Sequence, residues 1–223
     1  MLNLNQYFIE LKKLGLSIDT VYDIGAHKGT WSLETKEQSL PDSNFILFEA
    51  NADHAPFLQS TGFRYFTGVL GKPNQDTVLF YTNRGSTGDS YYKENSTHYS
   101  NSLPVLRPCY TLDQIIEHGK IPLPDLIKID TQGSELDILK GSKKAMDSVK
   151  LVYTECPFIC YNSNAPTLNE YIDFFRFYKM LPIGIFEVHH MDAIVIQIDV
   201  LFIKNELKEK FICTNNNLTV NLL

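Results

Sequence analysis

Residues 21–31 read Val-Tyr-Asp-Ile-Gly-Ala-His-Lys-Gly-Thr-Trp. A short β-prone run ends on an acid, turns on Gly25 and continues into a stretch of helical character, the signature of a strand that hands over to a helix. The pattern repeats on either side. Short apolar runs at 20–23, 45–49, 65–70, 126–130, 151–155, 183–188 and 193–203 alternate with helical segments ending near 36 and covering 111–118, 134–140 and 167–178. Strand and helix in alternation predict an α/β fold, a mostly parallel sheet with helices on both faces. Only His189 to Asp192 separate the last two runs, too little chain for a parallel crossover, so these form an antiparallel hairpin at or near the sheet edge. Tyr7, Phe8, Leu11 and Leu14 predict an N-terminal helix over 1–16, closed by Gly15. Residues 83–104, rich in Ser, Asn, Gly and Tyr, read as a long substrate-side loop, and 205–223 as a C-terminal tail. No linker interrupts the chain, which reads as one domain over 1–223.

The 223 residues are 43% hydrophobic, enough for a full core. Twenty Lys and Arg against 26 Asp and Glu give a formal net charge of −6, whereas a nucleic-acid binder carries a basic face that displaces phosphate counterions. Nucleic acid is therefore not the expected partner. The most apolar run, 193–203, is broken by Gln197 and Asp199 and falls short of the ~20 residues that cross a bilayer, so no transmembrane segment is expected. Polar Asn3, Asn5, Gln6 and Glu10 interrupt any secretory signal. Four cysteines without a CxxC pair point to reduced thiols and a cytoplasmic protein.

In an open parallel sheet, ligands bind beyond the carboxyl ends of the strands, where a helix N-terminus offers free N–H donors. A dinucleotide fingerprint needs a second glycine where His27 stands, and no phosphate-loop motif follows any strand. S-adenosylmethionine fits better: it needs one close backbone approach, at Gly25, and an acidic partner, Asp23. Glu49 ends the next strand, where a carboxylate can accept from both ribose hydroxyls. Taken alone, Glu49 reads equally as a solvated strand-end charge. Asp130 ends the strand 126–130, ahead of Ser134-x-x-Asp137, which resembles a capping box. Glu155 ends 151–155 and is either a site residue or a surface carboxylate.

The segments VYDIGAHKG (21–29), FEAN (48–51), TLDQII (111–116) and IKIDTQGSELDILKG (127–141), in this order, resemble the FkbM family of S-adenosylmethionine-dependent methyltransferases. The resemblance spans residues 20–204, and the 127–135 block is its most specific part. It implies a Rossmann-like seven-stranded sheet whose last strand is antiparallel, and O-methylation of sugars, polysaccharides or related natural products. His27 stands where many relatives carry Asn, and Gln132 where many carry Glu. The cofactor contacts expected are Asp23, Gly25, Ala26, His27, Gly29 and Thr30 from the first motif, then Glu49, Ala50 and Asn51, with Leu70, Asp130 and Gln132.

An aliphatic hydroxyl must lose its proton to become a good nucleophile. Asp130, with or without Glu155, either accepts that proton or holds a divalent cation such as Mg²⁺ that acidifies the hydroxyl. Asp130 bonded to the Gln132 and Gly133 backbone amides is the structural alternative. His189 is a third catalytic candidate, as base or as metal ligand with Asp192; adjacent His189 and His190 point to opposite faces of a strand, so at most one reaches the site, and both read otherwise as polar hairpin residues. Ser90, Tyr91 and Tyr92, with Tyr99, combine flat apolar faces with hydroxyls, a mixture suited to a sugar acceptor, or else pack the loop onto the sheet. A nucleotide-binding oxidoreductase and a non-catalytic binding module are the competing readings; oligomeric state is not legible.

Overall fold

The computed structural model describes residues 2–82, 88–93, 104–160 and 162–212. Its elements in chain order are α1 (Leu4–Lys13), β1 (Thr20–Ile24), α2 (Thr30–Gln38), β2 (Asn44–Glu49), α3 (Ala55–Ser60), β3 (Arg64–Thr67), β4 (Val69–Leu70), β5 (Thr77–Tyr81), β6 (Pro104–Tyr110), α4 (Leu112–Gly119), β7 (Leu126–Ile129), α5 (Glu135–Lys140), α6 (Lys143–Ser148), β8 (Leu151–Pro157), α7 (Leu168–Phe177), β9 (Met180–Met191), β10 (Ile194–Lys204) and α8 (Asn205–Ile212).

Seven strands form one sheet in the order β3-β2-β1-β7-β8-β10-β9. The pairs β2–β3, β1–β2, β1–β7 and β7–β8 are parallel, and β10 is antiparallel to both of its neighbours. This is the mostly parallel sheet with an antiparallel last strand that the alternation predicted. Every residue of β1 and β7 is buried, as a strand covered on both faces requires. Successive side chains feed two cores. Tyr22, Ile24, Ile127 and Ile129 pack against α4, α5, α6 and α7, with Phe175 stacked on Phe202 at 3.9 Å between ring centroids. Val21, Leu126, Leu151 and Leu201 pack with Phe8 and Leu11 of α1 and Leu58 of α3 on the other side.

The antiparallel hairpin β9–β10 forms at the sheet edge, as expected. β10 inserts between β8 and β9, so the final strand is interior and β9 is the edge. Burial explains this: Val200, Leu201, Phe202 and Ile203 are buried, whereas β9 leaves Ile185, Val188 and Met191 exposed. The run 65–70 is two strands, broken at Gly68 (φ 145°), and β4 joins a separate three-stranded sheet in the order β4-β6-β5. That sheet takes up the end of the expected excursion, and Ser90 bridges back to Tyr81; residues 83–87 and 94–103, Tyr99 included, lie outside the described residues. Residues 205–212 form α8 rather than loose tail. The Ser134 capping box does not form: its hydroxyl donates to the Thr131 carbonyl. Glu135 satisfies the orphan amides instead, with Oε1 accepting from the N–H groups of Thr131 (2.7 Å) and Gly133 (3.1 Å) and Oε2 from the Tyr171 hydroxyl (2.7 Å).

Gly25 (φ 76°) lies where β1 and β7 end side by side, and a Cβ there would stand 1.8 Å from the Asp130 carbonyl oxygen. Gly25→Ala is expected to lower stability by about 2 kcal/mol or more. Phe175→Ala, a deletion in the stacked core, is expected to cost about 3–5 kcal/mol. Urea unfolding followed by circular dichroism measures both, and an unchanged midpoint in either variant contradicts the packing described.

Candidate active site

Because β1, β2, β7 and β8 are parallel, their carboxyl ends lie together; β1, β2 and β7 end on or next to an acid or a glycine, and β8 runs on to Pro157, two residues past the expected end at Glu155. The Gly25 and Ala26 N–H groups donate to the Phe48 carbonyl at the end of β2 (2.9 and 3.0 Å), and the Asp130 N–H donates to the Ile24 carbonyl at the end of β1 (3.0 Å). The three strand ends are thus stitched into one rim.

Lys128 lies beneath this rim. Its Nζ is 3.2 Å from Asp23 Oδ1 and 3.8 Å from Asp130 Oδ2, and it donates to the Gly25 carbonyl at 3.2 Å. Burial works against the ammonium charge, but Asp23, Asp130 and Glu155 outweigh it and hold the lysine above its ordinary pKa. Asp23 also accepts from the Ser32 hydroxyl at 2.7 Å.

Glu49 closes the other side. Its two oxygens accept from the N–H groups of His27 (2.7 Å) and Asn51 (2.8 Å), with His54 Nδ1 at 3.6 Å. Burial nonetheless raises its pKa, against those two amides. His27 (φ 49°) meets His54 edge to face at 4.2 Å. Burial, together with His54 and Lys28, lowers the His27 pKa and favours the neutral imidazole.

Between these groups lies a cleft of ≈ 240 Å³ whose walls include Gly25, Ala26, His27, Thr30, Glu49, Ala50, Asp130 and Gln132, all expected from sequence. A second cavity of ≈ 440 Å³ adjoins it, bounded by Asn3, Leu4 and Asn5, by Glu34 of α2, and by Tyr153, Glu155, Phe186, Glu187, His189 and Asp199. Trp31, Lys128 and Asp130 line both. Gln132, itself in a left-handed conformation (φ 55°), donates through Nε2 to Asp130 Oδ1 (2.8 Å) and Glu155 Oε2 (3.4 Å). The Thr131 and Gly133 amides go to Glu135, so Gly133 does not cap Asp130 as the structural alternative supposed. Burial first, then repulsion from Asp130, Glu135 and Asp199, pushes the Glu155 carboxyl up to about 9. Both effects favour the protonated form of this carboxyl.

Other expected residues are placed elsewhere. Asp23 is under the floor, paired to Lys128; Gly29 (φ 78°) starts α2; Leu70 is in the core; Asn51 stands behind Glu49 and donates to Asp89 at 2.9 Å. Ser90, Tyr91 and Tyr92 border neither cavity. Ser90 is buried, and both tyrosine hydroxyls approach Asp137 on α5, at 3.4 and 2.9 Å, because a buried carboxylate draws donors to itself. His189 lines the second cavity, whereas His190 and Asp192 do not. Asp130 and Glu155, expected as a metal pair, share one amide donor. Among the described residues, the ligand atoms that converge belong to Glu155, His189 and Asp199, all within 4.8 Å of one another.

Sequence reasoning passed over Lys128, Trp31, His54 and Asp199 as site residues. For two of them a signal was present. Lys128 sits inside the run 126–130 and Asp199 inside the most apolar run of the chain, and a charge in a strand buried on both faces must have a partner.

The chain matches the Methyltransferase FkbM domain over residues 23–199. It is 28% identical over 143 residues to the hexuronic acid methyltransferase AglP of Haloferax volcanii, covering 61% of this chain and 55% of that protein. The chain thus spans about half the length of this curated relative. Among solved structures, the O-methyltransferase from Bacillus cereus in complex with S-adenosylhomocysteine superposes with a TM-score of 0.51 at 13% identity, over 92% of this chain and 83% of that one. The methyltransferase FkbM from Methylobacillus flagellatus gives 0.49 at 17%, over 83% and 43%. The Bacillus likeness is one of fold, and agrees with the Rossmann-like order of the sheet. The match from the acid of the first motif to the acid in the last strand carries the assignment: the chain belongs to the FkbM methyltransferase domain family.

Proposed function

We propose that this protein transfers a methyl group from S-adenosylmethionine to a hydroxyl of a sugar or related polyhydroxy acceptor. The observation that carries the reading is the junction of the two cavities at Trp31, Lys128 and Asp130. A donor in the first and an acceptor in the second would meet there. The first cleft suits the donor chemically. Each Glu49 oxygen takes one backbone amide and keeps lone pairs for a ribose hydroxyl. Asp89 and Asp130 line the same cleft and offer negative charge to an ammonium or sulfonium group.

Bound there, the sulfonium donor supplies an already activated methyl carbon, so the protein's task is chiefly to position the groups. Asp130 takes the hydroxyl proton as the oxygen attacks. Its side chain is about one-third exposed, open to the acceptor side, and the Gln132 amide fixes its orientation. Trp31 offers an apolar face for a sugar ring, and Asn3, the N-cap of α1, whose Oδ1 accepts from the Gln6 N–H, offers its amide N–H group to a hydroxyl. The sugar class is further supported by the relative that is named for a hexuronic acid. We place the reaction in a reducing, cytoplasmic compartment; Cys109, Cys156 and Cys160 are free thiols.

Two outcomes are expected. S-Adenosylhomocysteine raises the unfolding temperature and NAD does not, and Glu49→Gln weakens that binding by about tenfold or more through loss of charge-assisted bonds to the ribose. A thermal-shift titration measures both; stabilisation by NAD alone would point to the oxidoreductase reading. Asp130→Asn lowers kcat for methylation of a hexuronic acid or nucleotide-sugar acceptor by roughly 10²-fold or more. Radiolabel transfer reads this, and unchanged turnover removes Asp130 from the proton-transfer step.

A further inference from the structure

We infer that Glu155, His189 and Asp199 form a binding site for one divalent transition-metal cation in the wall of the second cavity. The sheet itself assembles it. In the β8–β10 pairing Asp199 lies directly opposite Glu155, and in the β9–β10 pairing His189 lies opposite Gln197, two residues from Asp199. Ladder irregularities flank Gln197 and follow Asp199, and such bulges re-aim side chains.

Two observations separate this group from a chance collection of acids. Asp199 is 8% exposed and sits in an interior strand, yet its Oδ1 accepts no hydrogen bond; its Oδ2 accepts from the Tyr153 hydroxyl at 2.8 Å. The Nε2 of His189, also buried, has no hydrogen-bond partner and faces that oxygen at 3.7 Å. The separation is too long for a hydrogen bond. Neighbouring ligands on metal bonds of about 2.1 Å lie roughly 3 to 3.5 Å apart, so side-chain shifts of about 1 Å would bring these atoms to ligand spacing. The Tyr153 hydroxyl then has the part of an outer-shell donor that fixes a ligating carboxylate.

The surrounding charge selects a cation. Glu34, Asp130, Glu155, Glu187 and Asp199 border the cavity against the ammonium of Lys128, which is already paired with Asp23. One imidazole nitrogen with two carboxylate oxygens is a mixed set that suits Mn²⁺ or Zn²⁺ better than an all-oxygen ion. In the reaction proposed above, the ion would hold an acceptor carboxylate or hydroxyl oxygen beside Asp130. That use rests on the methyl-transfer reading; binding of the ion does not.

The test is titration of chelator-treated full-length protein with Mn²⁺, followed by loss of the free-ion electron paramagnetic resonance signal, and with Zn²⁺ by calorimetry. One saturable ion per chain is expected. Asp199→Asn and His189→Ala should each weaken it by about tenfold or more. Should Asp199→Asn fail to fold, His189→Gln at the partly exposed histidine decides instead. Absence of saturable binding of either ion to the unmodified protein, or binding unchanged by the His189 variants, overturns the site. Thermal shift by S-adenosylhomocysteine on the same samples keeps the two readings apart. Metal binding without that shift retains this site and removes the methyltransferase reading, and the shift without metal binding does the reverse.

Discussion

A buried ammonium organises the centre of this protein. Lys128 occupies an interior strand in which every residue is buried, and its charge is tolerable because Asp23 on the neighbouring strand, Asp130 beyond its own strand end and the Gly25 carbonyl surround it. Removing one member of such a buried pair costs about 3–5 kcal/mol, several times the ~0.8 kcal/mol of a buried methylene. The pairing therefore constrains the rim more tightly than any single apolar contact. It ties β1 to β7 through side chains as well as through the ladder, and it needs Gly25, because a side chain at that turn would collide with the Asp130 carbonyl. The cleft above is shaped by the same requirement: the backbone must pass close to β7 so that lysine and carboxylates can meet.

Topology supplies the rest. Parallel strands deliver the ends of β1, β2, β7 and β8 to one side, which brings Glu49, Asp130 and Glu155 to a common rim. The insertion of β10 adds a group that parallel strands could not, since an antiparallel neighbour places mid-strand Asp199 level with Glu155 near its strand's end. Carboxyl groups crowd there in a poorly solvated wall, and the rise of the Glu155 pKa to about 9 measures that crowding. The Gln132 amide relieves part of it by donating to Asp130 and Glu155 together. A left-handed residue at this turn is the conformational cost of aiming that amide inward.

The alternation of short apolar runs with amphipathic segments was enough to read a mostly parallel sheet between two helical layers, and the short 189–192 connection to read the hairpin, because burial on both faces leaves continuous apolar runs in the residues themselves; the count of seven strands came with the family resemblance. The glycine turn and the strand-end acids were legible for a related reason: local backbone geometry and strand termination are properties of a few consecutive residues. The small sheet of β4, β5 and β6 was not, since Val69 pairs with Cys109 across a long intervening segment and nothing local announces it.

What the chain determined by itself was therefore the strands and helices of the main sheet, and that acids at residues 23, 49, 130 and 155 stand at or near the carboxyl ends of its strands. Only the tertiary structure decided what those acids do. It set Asp23 beneath the cleft as the partner of Lys128, turned Tyr91 and Tyr92 toward Asp137, and brought Asp199 and His189 to Glu155. The physical reason is the range of the interactions involved. Periodicity and turn preference act between near neighbours in sequence, whereas the pairing of buried charges depends on which strands lie side by side, and that is settled only when the whole sheet has packed.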